Sequence, residues 1–462
     1  METSGRYFSS TQFTVVDEIR GDHHLQRGVP RMKRTTHTAR AAALAGAVAL
    51  VLAACGGGDG DAAPEDGDTG TDSGDTADGG EEGGEPLIIG SLLPQTGSLA
   101  FLGPPEIAGV DLAIEEINEA GGVLGQDVEI IHADSSDADN AEVATQSVTD
   151  LLSQNAQVII GAASSAVSLS VVDDITGANV VQISPANTST ALSGYSPFYF
   201  RTAPSDLIQG NALGNLVVND GHANVAVLVF NDDYGITLRD VAKETIEAAG
   251  GTIVYGNPGE EFDPASDDVI PSVVTAALAT NPDAIIVIAF DQTRLIVPQL
   301  AAAGFDTSKL YFTDGNLSNY GEEFEAGTLE GAQGTLPGAF PDDAFQERLL
   351  GVDPELNDFS YAAESYDAVI LAALAAVRGG ATDGVTIQEN LAAVSGAEGG
   401  TACTGFAECA ELLANGEDID YEAVSGAGPF NEDNDPSSAF VGIYRYGADN
   451  TYEWVKAEFG EL

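Results

Sequence analysis

At 462 residues the chain is too long for a single hydrophobic core, which predicts two lobes beyond any leader. Its 73 Asp and Glu against 16 Lys and Arg give a formal charge of −57, a field that repels nucleic acid and anionic lipid surfaces. The acidity reads as a solvated surface, suited to a saline habitat, and says nothing direct about a ligand.

Residues 1–31 show no sustained periodicity and read as an upstream extension. Met32, Lys33, Arg34 and Arg40 then precede an apolar run over 41–54, too short to span a bilayer comfortably, which closes on Leu52-Ala53-Ala54-Cys55. This predicts a signal peptide at 32–54 with a lipobox, in which Cys55 is lipidated and becomes the mature N-terminus, with Met32 as the true start. The alternative is an ordinary secretory signal with a chance cysteine. Seven of the sixteen basic residues (Arg6, Arg20, Arg27, Arg31, Lys33, Arg34 and Arg40) precede Cys55, so the mature chain is more acidic still. From 56 to 85 the sequence is almost entirely Gly, Asp, Glu, Thr, Ser and Ala, without Lys or Arg. Such a stretch cannot bury a core, so 55–85 is expected to be a disordered tether reaching roughly 30 Å or more.

Beyond it, an apolar run at 87–93 predicts a strand that breaks at Pro94. A helix follows from Glu106, with Ile107, Val110, Ala113, Ile114 and Ile117 at helical spacing and Gly121-Gly122 as the stop. In an open α/β sheet the connecting loop, 95–103, leaves the carboxyl end of its strand and should face a binding cleft. Strands at 127–133, 157–161 and 179–184 alternate with helices at 141–152 and 166–176, predicting a parallel sheet covered on both faces. After Phe198-Tyr199-Phe200-Arg201 the pattern restarts as a second lobe. There, helices at 207–218, 236–249 and 269–279, and another ending at Ala303, alternate with strands at 225–230, 252–255, 284–290 and 310–313.

The run G-x-x-x-P-x-T-G from Gly90, the helix G-x-x-L-A-I-E-E-I-N and the following G-G-V-L-G resemble the start of the leucine/isoleucine/valine-binding proteins, the solute receptors of amino-acid ABC importers. The resemblance continues through 159–161, Ser184-Pro185-Ala186, Asp233-Tyr234-Gly235 and Thr313-Asp314-Gly315 to the C-terminus. It implies the type I periplasmic binding fold: two doubly wound parallel-sheet α/β lobes joined by three hinge crossovers, near Thr202, Leu336 and Gly428. Lobe 1 would comprise 86–202 and 337–427, and lobe 2 would comprise 203–336 and 428–462. The helices at 361–378 and after Thr386 would then return to the first lobe, and strands at 440–444 and 451–455 would finish the second.

The binding residues come partly from the chain and partly from the resemblance. Gly161 to Ala166 leaves a strand and opens a helix, so Ser164 and Ser165 can cap that helix while its free N–H groups receive a carboxylate. The resemblance makes the loop carrying Ala186 and Thr188 a second anchor, through backbone and hydroxyl. It also makes Tyr234 a ring closing over the ligand, Phe290 an aromatic at the rim with Asp291 beside it, and Asp314 the acid for an α-ammonium. The family commonly has Glu at that last position, and Phe101-Leu102 stand where a tyrosine is frequent, so pocket size and polarity differ. Receptors resembling this family also take amides, urea and aromatic acids, and some signal without transporting.

An enzyme is the rival class. The chain has no G-x-G-x-x-G, no G-x-x-x-x-G-K-[ST] and no G-x-S-x-G, and only His132 and His222 follow Cys55. No cofactor, metal or nucleic acid is expected. With Cys55 lipidated, Cys403 and Cys409 remain, six positions apart and without a neighbouring His, and predict a local disulfide rather than a zinc site. The expected protein is a monomeric, membrane-anchored, extracytoplasmic binder of a small solute, partnered by ABC permease subunits.

Overall fold

The computed structural model describes residues 85–321 and 323–462. The expected signal peptide, Cys55 and all of the tether except Glu85 lie outside the described residues.

The first sheet has five parallel strands in the order β2-β1-β3-β4-β5: β1 Ile88–Leu93, β2 Glu129–Asp134, β3 Val158–Gly161, β4 Val181–Ser184 and β5 Tyr199–Arg201. Strand side chains alternate between faces, which divides β1: Ile89 and Leu93 join one core, while Leu92 joins another. The helices α1 Gly103–Glu119, α2 Ala141–Ser153 and α3 Ser165–Gly177 connect the strands. The first core takes side chains from α1; the second takes Ala144, Val148 and Leu151 of α2 and Val167, Val171 and Ile175 of α3. The sheet is thus wound on both sides, as the sequence pattern predicts.

Past β5 the chain builds the second sheet through α4 Asp206–Asn219, β6 Asn224–Val229, α5 Asp233–Ala248, β7 Thr252–Tyr255, α6 Ile270–Ala279, β8 Ala284–Ile288, α7 Thr293–Ala302, β9 Leu310–Phe312 and β10 Gln333–Pro337. Those five strands run parallel in the order β10-β9-β8-β6-β7. The sequence reading leaves out β10. Gln-Gly-Thr-Leu-Pro looks like a loop by its Gly and Pro, but Pro337 is its last residue, where a missing N–H costs the ladder little.

The chain then returns to the first sheet with α8 Asp343–Val352, α9 Ala362–Gly379, α10 Gly384–Val394, β11 Thr401–Cys403, α11 Gly405–Ala414 and β12 Ile419–Tyr421. α9 is buried nearly all round, which accounts for its apolar run, and it packs along α1. Cys403, at the end of β11, is disulfide-bonded to Cys409 in α11. Finally β13 Ser438–Tyr446 and β14 Tyr452–Glu461 add two antiparallel strands beside β10, longer than the segments the sequence predicts there.

The chain therefore passes between the sheets three times, after β5, after β10 and after β12. α9 is tied to two of these passages. The Thr202 hydroxyl donates to the carbonyl oxygen of Glu364 at 2.8 Å, and the carboxylate of Asp367 accepts from Tyr421, Val424 and Ser425 at 2.6–3.0 Å. Glu364 and Asp367, three residues apart on α9, thus serve the first and third crossovers, one through its backbone carbonyl and the other through its carboxylate.

Candidate functional site

The loops leaving β1, β3 and β4 in the first sheet and β6, β8 and β9 in the second converge on one small cavity. These are the carboxyl ends of parallel strands, where open α/β sheets bind ligands. From the first sheet come Leu99, Leu102, Ala163, Ser164, Ser165 and Ala186; from the second come Tyr234, Phe290, Asp314 and Gly315, with Tyr361 ahead of α9. The cavity is only about 20 Å3, room for at most one water. Leu99, Leu102, Ala163 and Ala186 are packed into the second lobe's core cluster, so the cleft is shut.

Each wall has a local cause. The first loop is pinned by β2: the Asp134 carboxylate accepts from the amides of Gln95, Thr96 and Ser136 and from the Thr96 hydroxyl, and Asp137 accepts from the Ser98 amide. These bonds outweigh partial burial and hold the Asp134 pKa below the usual carboxylate range. Gly161 ends β3 with φ +122° against the carbonyl of Leu92, where a Cβ would lie 2.0 Å from that oxygen. This lets the chain turn directly into Ser164, the N-cap of α3, whose hydroxyl accepts from Val167. Ser165 is the first helical residue, so its amide belongs to the group that an α-helix leaves without an internal partner.

On the opposite wall Asp232 caps α5 by accepting from the Tyr234 amide, and the Tyr234 ring stacks on Phe290 at 5.8 Å between centroids. Gly315 admits this pair, since a Cβ there would meet Phe290 at 2.7 Å and Tyr234 at 3.3 Å. Asp314 sits in a single helical turn after β9, fixed by a reciprocal Thr313–Asn316 capping box. Its Oδ1 accepts from Gln209 Nε2 at 2.6 Å and the Tyr234 hydroxyl at 2.8 Å; its Oδ2 accepts from the Tyr361 hydroxyl at 2.8 Å. Burial pushes its pKa up, and the three donors pull it back. A carboxylate offers about four acceptor positions, so about one remains for a ligand donor.

Tyr361 pays for its place in backbone strain: at φ 59°, ψ 8° it is left-handed, costing about 1–3 kcal/mol for a residue of this kind. A second buried carboxyl, Asp206 at the start of α4, accepts from the Thr237 hydroxyl. Burial raises its pKa to about 7, and the charge of Asp314 adds to the rise.

Seven of the nine residues expected from sequence line the cavity: Leu102, Ser164, Ser165, Ala186, Tyr234, Phe290 and Asp314. Phe101 is outside its walls, half-buried against the second lobe's core. Thr188 is also outside, buried behind the wall, its hydroxyl facing Asp206 without a well-aligned hydrogen bond. Asp291 is turned outward to Arg294. Sequence reading missed Leu99, Ala163 and Gly315, which lie inside motifs it had singled out, and Tyr361, whose only signal was a tyrosine opening an apolar helix. It also missed Gln209 and Asp206, which look like ordinary polar positions of α4.

Among the described residues no group of His, Cys, Asp and Glu could hold a metal ion, and no single helix is long and apolar enough to cross a membrane.

A family profile described as "Periplasmic binding protein" matches residues 86–416. The chain is 25% identical to the "Chemotactic signal transduction system substrate-binding protein BasB" of Halobacterium salinarum, over 74% of this chain and 83% of BasB. It is 26% identical to the "Leucine-, isoleucine-, valine-, threonine-, and alanine-binding protein" of Pseudomonas aeruginosa, over 65% of this chain and 80% of the relative. Among solved structures it is similar to LivJ, the branched-chain amino acid transporter substrate binding protein of Streptococcus pneumoniae in complex with isoleucine. That match has a TM-score of 0.66 at 23% identity, over 82% of this chain and 100% of that one. The chain belongs to the type I periplasmic binding proteins, which are extracytoplasmic solute-binding proteins.

Proposed function

We propose that the protein is the substrate-binding lipoprotein of an ABC importer and closes its cleft on an α-amino acid or a related small solute. The observation that carries this reading is the pairing of unlike ends in one cavity: the N-terminus of α3 with Ser165 on the first wall, and the buried Asp314 on the second. A zwitterion needs that arrangement, an N–H-rich helix end for its carboxylate and a desolvated acid for its ammonium. The isoleucine complex of LivJ and the printed specificity of the Pseudomonas relative support the same class. Calorimetry of the mature protein against amino acids, amides and aromatic carboxylates tests it; binding of amides or aromatic acids but of no amino acid would overturn the assignment.

The cavity as it stands holds no amino acid, so the lobes must part to admit one. Ligand-free protein is expected to show a larger radius of gyration in solution scattering than saturated protein. Superposable curves would count against closure.

The anchor belongs to the same proposal. Cys55→Ser should move the protein from the membrane fraction to the medium and leave solute binding unchanged; continued membrane retention would argue against lipidation at Cys55.

Similarity to BasB favours a second reading, in which the liganded protein reports to a signal transducer rather than a permease. Deleting the gene separates them: loss of labelled-solute uptake supports import, and loss of a chemotactic response with uptake intact supports sensing.

A further inference from the structure

A second cavity, of about 190 Å3, lies on the far side of Tyr361 from the cleft, where the chain passes from β10 back to the first lobe. Six waters would fill about that volume. Three aromatic rings form one side: Phe340 packs tilted on Tyr444 at 6.4 Å, and Tyr444 meets Tyr452 edge to face at 5.3 Å between centroids. The Tyr361 ring adds another wall. Two carboxyl groups line it, Asp358 and Glu364, and no Lys, Arg or His does.

The two acids differ. Asp358 is satisfied, accepting from the Tyr452 hydroxyl and the Ser360 amide at 2.9 and 2.8 Å. Glu364 is not. It is 3% exposed, its Oε1 has no hydrogen-bond partner, and the nearby Glu106 is fully buried with both oxygens unpartnered. A buried carboxyl without donors is strongly disfavoured unless a cation or a proton meets it. Burial raises the pKa of both, with the charge of Glu364 adding to the rise at Glu106 and that of Asp367 to the rise at Glu364. Besides the rings and Asp358 the cavity has the neutral polar side chains of Asn319, Asn357 and Ser360, none of which bonds that Oε1, so the chain itself brings no cation to Glu364.

We infer that this cavity is a second ligand site, for a small organic cation carrying an alkylated ammonium. The ring faces are negative and have no oxygens with which to replace a hydration shell. They select a weakly hydrated cation over a metal ion, and Glu364, giving its proton to solvent as the cation enters, supplies the counter-charge. The proposal goes beyond the interlobe amino-acid site and does not depend on it. The two are neighbours through Tyr361 alone, whose hydroxyl is committed to Asp314 while its ring walls the second cavity. An occupant would hold that strained residue in place, and with it one of the donors on Asp314.

Choline and its neutral isostere 3,3-dimethylbutan-1-ol test the inference by calorimetry on the whole protein. Choline is expected to bind, and the alcohol to bind at least about tenfold more weakly, the worth of one lost cation–ring or charge contact. Glu364→Gln, which keeps the shape and removes the charge, should weaken choline about tenfold or more. Phe340→Ala should do the same in smaller measure; Phe340 is 43% exposed and belongs to neither large core cluster, so its removal leaves those cores filled. Asp314→Asn should leave choline within about twofold while abolishing amino-acid binding, which separates failure of this site from failure of the cleft. No choline heat at tens of millimolar, equal binding of choline and the alcohol, or loss of choline in Asp314→Asn would each overturn the proposal.

Discussion

Asp314→Ala is expected to weaken amino-acid binding by about two to four decades in dissociation constant, since removing one partner of a buried ion pair costs roughly 3–5 kcal/mol. Alanine also strips three buried donors, Gln209, Tyr234 and Tyr361, of their acceptor, so part of its effect would be structural. Asp314→Asn is the sharper variant. Its amide oxygen still accepts from a tyrosine, and its new N–H donors can meet Gln209 through Oε1, a buried atom that now has no partner. Without ligand the wild-type carboxyl bears a desolvation cost that has raised its pKa, so asparagine should fold at least as well. An amino acid should lose its affinity for both variants; an amide or aromatic carboxylate should bind Asp314→Asn about as before. Calorimetry decides: if an amino acid binds both variants within about twofold of wild type, well under 1.4 kcal/mol, the ammonium is not held at Asp314.

Asp314 was legible in the sequence because the signal was local: an apolar strand, a turn and an acid at its carboxyl end. Ser165 and Tyr234 likewise lie a few residues beyond a strand that the pattern finds and Phe290 at the end of one, while the roles of Tyr234, Phe290 and Asp314 came from the family resemblance. The alternating elements of the first lobe were read nearly to their ends for the same reason. What escaped was set by distance along the chain. Gln209 reaches Asp314 across 105 positions and Tyr361 across 47, and nothing near either residue announces that partner. Tyr361 reads as the first residue of a helix, whereas its left-handed backbone turns its hydroxyl toward Asp314. Thr188 failed differently. Its loop is where the strand pattern puts it, but the hydroxyl is directed to Asp206, whose burial no period in α4 reveals. β10 was hidden by composition, since its Gly and Pro read as a turn while its neighbours β9 and β13 supply the ladder that makes it a strand.

Asp435→Ala is expected to destabilise the protein by roughly 3–5 kcal/mol, the cost of leaving a buried charge without its partner. Arg201 ends β5, and its side chain is 0% exposed. Nε and Nη2 donate to the two Asp435 oxygens at 2.6 and 2.7 Å, Nη1 donates to the carbonyl of Ser189 at 2.9 Å, and Nη2 also meets the Ser193 hydroxyl at 2.7 Å. Burial opposes the guanidinium charge, but Asp435 more than offsets it, so the Arg201 pKa is raised, and an arginine stays ionised when Asp435 is removed. The pair therefore fastens three segments: the start of the first crossover, the end of the third, and the loop that presents Ala186 to the cleft. A surface pair would weaken in salt, whereas this one, out of reach of counter-ions, should contribute equally at low and high ionic strength. Replacing both charges by apolar residues of similar volume, Arg201→Met with Asp435→Leu, should cost less than Asp435→Ala alone, because no orphaned charge remains. Urea unfolding followed by two probes reads both effects. A single variant within about 1 kcal/mol of wild type would mean that water reaches Arg201 when Asp435 is gone. Where the loss is full, amino-acid affinity should fall as well, since Arg201, no longer held by Asp435, ceases to fix the Ala186 loop through the Ser189 carbonyl.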